Sequence, residues 1–421
     1  MRKITGILAI LALSLVAGRP ATAPLVLKKG QRVAVVGDSI TEQKLYSRYI
    51  ELYLAACLRE LDLQVIQLGW GGETAPGFAG RMNNDLLGWK PDVVTTCYGM
   101  NDGGYRPFEE GIGKRYESAM ADIVGRIKKA GGLVVVGGPG AVDSTFFKTG
   151  SAKPAVYNES LGHLSAIAKK LAEAEGFPHA DVHGAMISAM EKAKPALGDG
   201  YDVCGKDGFH PGPNGHLLMA YAFLKAMGID GQIGTVTVDL KGAAAASEGH
   251  KVLASEGGKV DLESARWPFC FSGDEKSSGG TRSILPFTPF NQDLNRLTLV
   301  VKNLDAEKAK VTWGAASKIF TKAELEKGIN LAAEFIENPF SDGFRKLEGI
   351  VAQKQAFETV MIKQTINSFP RLVESSGKNK DVEASVEGLR KQLFEVQARM
   401  GADARAAVVP VKHTVTVAAE K

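Results

Sequence analysis

The stretch Arg32-Val33-Ala34-Val35-Val36-Gly37-Asp38-Ser39 decides the fold. Its apolar run is short and does not alternate with polar residues, which reads as a strand buried on both faces. Gly37 ends the run, and a serine just beyond a buried strand and a glycine turn can expose its hydroxyl at the rim of a sheet.

Outward from this strand the pattern repeats. Leu45–Leu61 carries apolar residues at helical spacing, and Gln64–Leu68 reads as a second strand. Asp92–Tyr98 is a third, launched after Pro91. Glu109–Ala130 reads as a helix closed by Gly131-Gly132, and Leu133–Val136 as a fourth strand ended by Gly137-Gly138-Pro139. Helices over Pro154–Glu175, Gly184–Lys194 and Asn214–Met227 follow, with a weak strand at Ala180–Val182. Alternation of this kind predicts an α/β fold with a parallel sheet covered on both faces. Ligands bind such sheets at the carboxyl ends of the strands, here the turns after Val36, Leu68 and Tyr98.

Beyond Gly228 the character changes. Gly234–Leu240 alternates as a strand, and Lys251–Val260 is rich in glycine and polar residues. Leu297–Asn303 and Ala309–Trp313 read as strands of an antiparallel sheet, with an exposed loop at Ser272–Ser283 before them. Lys322–Phe335 and Asp342–Met400 read as mostly helical. Ala406–Ala418 alternates again, and Gly234–Leu240 is its expected partner. A chain of 421 residues exceeds one ordinary core. The division expected is a leader at 1–23, an α/β domain at 24–229 and a β-rich plus helical module at 230–421.

The leader reading rests on Arg2 and Lys3, a short apolar run from Ile4 to Ala17, and small residues ending in Ala21-Thr22-Ala23. This is the pattern of a cleaved export signal and implies a periplasmic or extracellular protein; a retained anchor is the alternative. No later run is long enough for a membrane span. Without Arg2, Lys3 and Arg19 the chain carries 48 basic and 47 acidic residues. That balance gives no reason to expect nucleic acid as a partner. Cys57, Cys97, Cys204 and Cys270 match no zinc spacing. Cys57 and Cys97 read as small buried hydrophobes, and a Cys204–Cys270 disulfide is left open.

The turns supply the chemistry. Gly37-Asp38-Ser39 offers a nucleophile. Gly69-Trp70-Gly71-Gly72 lets a backbone approach a ligand closely. Gly99-Met100-Asn101-Asp102 offers a side-chain amide. Asp207-Gly208-Phe209-His210 places an aspartate where it can curl back to the imidazole. Acyl transfer needs a nucleophile, a base, a group orienting the base and donors for an oxyanion, and each role has a candidate at a strand end. Asp38 and Asp102 read as loop braces. Trp70, Tyr105 and Arg106 are candidates to line a substrate pocket, as is Trp267, for which packing is the preferred reading.

With these four blocks in order, residues 30–228 resemble the GDSL, or SGNH, hydrolases. Gly37-Asp38-Ser39-Ile40 matches their first block with Ile in place of the usual Leu, Gly72 best matches the glycine of the second with Gly71 as the other register, Gly99-Met100-Asn101-Asp102 matches the third and Asp207 to His210 the fifth. The resemblance implies a three-layer, flavodoxin-like α/β fold and an esterase, lipase or deacetylase activity needing no metal or cofactor. It implies Ser39, His210 and Asp207 as the catalytic triad, with Ser39, Gly72 and Asn101 forming the oxyanion hole. Export, near-neutral charge and nearby aromatic residues favour a small-molecule or glycan ester, with deacetylation of a carbohydrate first. An acyltransferase using the same triad and a glycan-binding protein with a vestigial hydrolase domain are the alternatives.

Overall fold

A computed structural model describes residues 25–420, so the expected leader at 1–23 lies outside the described residues. The first half is built on β1 (Arg32–Gly37), β2 (Gln64–Gly69), β3 (Val93–Cys97), β4 (Leu133–Gly137) and β5 (His179–Ala180). All pair in parallel, in the order β2-β1-β3-β4-β5. Alternate residues feed opposite layers. Val33 and Val35 join the core beneath the helices Tyr46–Ala56 and Pro213–Ala226, whereas Ala34 and Val36 join the core beneath Ala75–Asp85 and Glu110–Lys129. This two-sided burial is why the strands are apolar runs rather than alternating ones, and it makes three layers.

The register aligns the strand ends. Gly37 lies opposite both Gly69 and Cys97, and Cys97 opposite Gly137. The three turns marked by sequence therefore leave the sheet side by side. The helix Ala75–Asp85 was not anticipated, because its Gly- and Asn-rich sequence has poor propensity. Thr74 caps it by accepting the Gly77 N–H, and Pro76 lies in its first turn.

Nine further strands follow: β6 (Gln232–Asp239), β7 (Ala245–Ala246), β8 (His250–Glu256), β9 (Lys259–Ser264), β10 (Arg296–Lys302), β11 (Lys308–Trp313), β12 (Ala316–Thr321), β13 (Ile329–Asn330) and β14 (Val411–Glu420). They form two sheets, ordered β13-β10-β6-β7 and β12-β11-β14-β9-β8. Three expectations are corrected. β14 pairs with β11 and β9, not with β6. The strands at 297–303 and 309–313 belong to different sheets, and β10 runs parallel to β6. Alternation shows which side of a strand is buried but not which strand it pairs with. The polar stretch at 251–260 is a hairpin between β8 and β9 (Glu256 pairs with Lys259), turned by Gly257 and Gly258, both at positive φ. Cys204 and Cys270 are buried free thiols and form no disulfide.

The helices Ser341–Thr359 and Lys380–Ala406 pack back against the first half, along the outer edge of β2 and the helix Tyr46–Ala56. The free edge of β2 receives side chains in place of a further strand. Val65 O accepts from Lys354 Nζ and Gln397 Nε2, each at 2.8 Å, and Gln67 N–H donates to Glu358 at 3.0 Å. Lys354 is wholly buried between Glu51 (2.9 Å) and Glu358 (2.6 Å). Burial alone would drive its ammonium neutral, but the two carboxylates more than reverse this and hold it charged. Among the described residues no helix is long and apolar enough to cross a membrane.

Candidate active site

The loop after β1 is tight because two glycines let backbones touch. A Cβ on Gly37 would lie 2.2 Å from Thr41 Oγ1, and one on Gly69 would lie 2.2 Å from Glu42 N. The short helix Ser39–Glu42 can therefore sit directly on the end of β2. Asp38 is buried and caps this helix, its carboxylate accepting the Ile40 N–H at 2.9 Å. Burial pushes the Asp38 carboxyl up to about 7, with the Ile40 bond opposing and the negative charges of Asp102 and Glu73 adding to the rise. Asp102 braces the third loop by accepting from Ala75 N–H (2.9 Å) and Gly99 N–H (3.0 Å). Burial raises it to about 6 against those two bonds.

The histidine loop closes on two glycines at positive φ, Gly205 and Gly208. A Cβ on Gly205 would collide with His210 O at 1.9 Å, so only glycine allows this return. Asp207 then accepts from the backbone of Phe209 (3.1 Å) and His210 (3.0 Å) through one oxygen. Its other oxygen lies 2.7 Å from His210 Nδ1. Burial opposes ionisation of Asp207, but the bonds from His210 and Phe209 outweigh it and hold the carboxyl below its ordinary value. An ionised Asp207 accepts a proton-bearing Nδ1, which leaves the Nε2 lone pair of a neutral His210 free. Nε2 lies 2.8 Å from Ser39 Oγ. The structure thus brings together Ser39, His210 and Asp207, residues 171 and 3 positions apart in sequence.

Among the described residues, neither the Ser39 N–H nor the Gly72 N–H has a hydrogen-bond partner. The Asn101 amide is oriented from both ends. Its Oδ1 accepts from Tyr105 Oη at 2.8 Å, and its Nδ2 donates to Glu73 O at 2.9 Å. The second Nδ2 hydrogen has only a long contact, 3.5 Å, to Asp38. Beneath this loop Glu73 takes a two-pronged bond from Arg81 (2.6 and 2.7 Å) and one from Tyr98 Oη (3.0 Å). Arg81 also donates to Leu68 O, tying the loop to the end of β2.

The pocket candidates separate. Tyr105 belongs to the site: it holds Asn101 and packs with Phe147, Tyr157 and Phe209. Trp70 sits in the second loop with Arg81 at 4.8 Å and Lys363 at 5.2 Å from its ring. Arg106 pairs instead with exposed Glu109 at 3.8 Å. Trp267 is core, packed against Phe340 and donating to Val409 O. Sequence reading missed Phe209, whose ring lies 4.3 Å from that of His210, although it stands inside the D-x-x-H block. A cavity of about 870 Å³ lined by Lys153, His183 and Lys194 includes no side chain of the triad. It is the convergence of hydrogen-bonding groups, rather than cavity size, that marks the site. Among the described residues no three His, Cys, Asp or Glu side chains gather into a metal-binding group.

Fold and site define a hydrolase of carboxylic esters. Residues 35–218 match the model of the GDSL-like lipase/acylhydrolase family. An acetylxylan esterase from Geobacillus stearothermophilus is 23% identical over 224 residues, covering 48% of this chain and 95% of the esterase. A gut microbial diltiazem-metabolizing enzyme shares the fold over 95% of this chain and 100% of its own, with a TM-score of 0.72 at 20% identity. The architecture of the C-terminal half is thus shared along with that of the hydrolase sheet. An α/β hydrolase from the metagenome of Lake Arreo, Spain, matches 48% of this chain and 96% of its own, with a TM-score of 0.41 at 24% identity.

Proposed function

We propose that the protein is an exported serine esterase that removes acetyl groups from a carbohydrate through an acyl-enzyme. The observation that carries the serine mechanism is the unbroken line from Ser39 Oγ to His210 Nε2 (2.8 Å) and from His210 Nδ1 to Asp207 (2.7 Å). In this reading Ser39 Oγ attacks the ester carbonyl while its proton passes to Nε2. The imidazolium so formed is held by the ionised Asp207 and then gives its proton to the departing alcohol oxygen. The Ser39 and Gly72 N–H groups and the second Asn101 amide hydrogen point their dipoles at the developing oxyanion. The His210 side chain is 28% exposed, so water can reach it as the second nucleophile and be activated by the same nitrogen.

The carbohydrate acceptor is supported by similarity to the acetylxylan esterase and by the aromatic group around Tyr105 and Phe209, whose rings can lie against a sugar face. The test is turnover on a panel of acetylated xylo-oligosaccharides, acetylated monosaccharides and 4-nitrophenyl esters of increasing acyl length. The reading expects acetyl esters of sugars to have the highest kcat/KM. Steady improvement with acyl length up to long chains would point to a lipid substrate instead.

A further inference from the structure

The oxyanion loop is held from the far end of the chain. Gly71, adjacent to Gly72, donates its N–H to Glu42 Oε2 at 2.6 Å. Glu42 lies in the same short helix as Ser39, and its other oxygen accepts from Lys363 Nζ at 2.6 Å. A Cβ built on Gly71 would lie 2.8 Å from Glu42 Oε2, so the carboxylate closes tightly on this glycine, with Lys363 Nζ farther off at 3.9 Å. Lys363 comes from Val360–Thr365, a π-helical turn following the helix Ser341–Thr359. A π turn is a costly departure from helical geometry that recurs near functional sites. The same segment makes a second tie. Gln67 Nε2 donates to Thr359 Oγ1 (2.9 Å) and Gln355 O (3.1 Å), while Gln67 Oε1 accepts from Gly69 N–H (3.0 Å). Two anchors from residues 355–363 thus grip the loop on either side of Trp70, whose ring lies 5.2 Å from the Lys363 ammonium.

We infer that Lys363 and Glu42 are positioning residues for ester hydrolysis, a clamp by which the C-terminal half fixes the Trp70–Gly71 peptide, the one before the Gly72 N–H, and so narrows the directions in which that N–H can face the oxyanion. This rests on the reading of Gly72 as an oxyanion donor. The physical logic is that a glycine pair is free to rotate, and an N–H aimed in advance stabilises the transition state without reorganising. Glu42 reduces that freedom by fixing the peptide on the N-terminal side of Gly71, and Lys363 fixes Glu42. The pair is partly exposed, with side-chain exposures of 31% and 24%, so its removal is expected to leave the fold intact.

The test compares wild type, Lys363→Met, Lys363→Arg and Glu42→Gln on 4-nitrophenyl acetate, with a thermal melt of each. Lys363→Met is expected to lower kcat roughly tenfold, less than outright loss of a donor, with KM within about twofold of wild type. Binding of a trifluoromethyl ketone, which forms a tetrahedral oxyanion adduct, should weaken by the same factor as kcat/KM. Lys363→Arg should recover most of the turnover. Glu42→Gln keeps an acceptor for Gly71 but loses the ion pair, and should fall between wild type and Lys363→Met. A wild-type kcat in Lys363→Met would overturn the clamp. So would Lys363→Arg as impaired as Lys363→Met, or a loss of turnover that only follows a lowered melting temperature. Should Lys363→Met not fold, Glu42→Gln at wild-type turnover overturns the clamp by itself. Failure of the underlying reading looks different: Ser39→Ala would then keep its activity.

Discussion

The two edges of the parallel sheet make an instructive contrast. At the carboxyl edge, among the described residues, donors are left without a close partner: the Ser39 and Gly72 N–H groups have none, and one Asn101 amide hydrogen has only a 3.5 Å contact to Asp38. Along the outer edge of β2, Val65 O and Gln67 N–H are matched by side chains. Lys354, Gln397 and Glu358 take the places a neighbouring strand would fill. In the proposed reading one edge keeps its hydrogen-bonding capacity for a substrate, and the other uses it to hold two halves of the chain together.

Substitutions can break this contrast. Ser39→Ala should cost on the order of 10⁴- to 10⁶-fold in kcat with an unchanged melt, and His210→Ala nearly as much. Retained turnover on a short-chain aryl acetate would remove the carboxyl edge from the chemistry. Asn101→Ala should lower kcat by about 10²- to 10³-fold with little change in KM, because its amide acts in the transition state. A change confined to KM would contradict that role. Lys354→Met reverses the pattern. It leaves Glu51 and Glu358 buried without their cation, so a loss of about 3–5 kcal/mol is expected in urea unfolding, with turnover per folded molecule unchanged. Near-neutral stability would mean the β2 edge is not held by this network.

A further expected effect concerns pH. The buried Asp38 carboxyl keeps its proton up to about 7 in the fold, against an ordinary value near 3.8. Between those values the native state binds more protons than the unfolded one, so this group makes stability fall as pH rises through the window. Asp38→Asn keeps a capping oxygen and removes the titration. Its stability from pH 4 to 7, measured by denaturant melts, should decline less steeply than that of wild type. Parallel profiles would contradict the assignment.

Most of the carboxyl edge was legible in the sequence because each piece is local. A glycine stop after a buried run, a serine beyond it, and an aspartate three residues before a histidine are patterns within a few positions. The parallel pairing of their strands then brings them together. The β2 edge was not legible, since Lys354 lies about 290 residues from Val65 and reads simply as a charge on a helix. Lys363 was invisible for the same reason, at 321 positions from Glu42. The pairing of β14 failed because its alternation fits any sheet with one buried face. Phe209 was missed although it was in plain view between Asp207 and His210.

The most direct measurement is covalent labelling. Protein treated with a fluorophosphonate and mapped by peptide mass spectrometry should carry one adduct, on Ser39, formed slowly or not at all in His210→Ala. An adduct on another residue would contradict the account, as would no adduct in a preparation that still hydrolyses 4-nitrophenyl acetate.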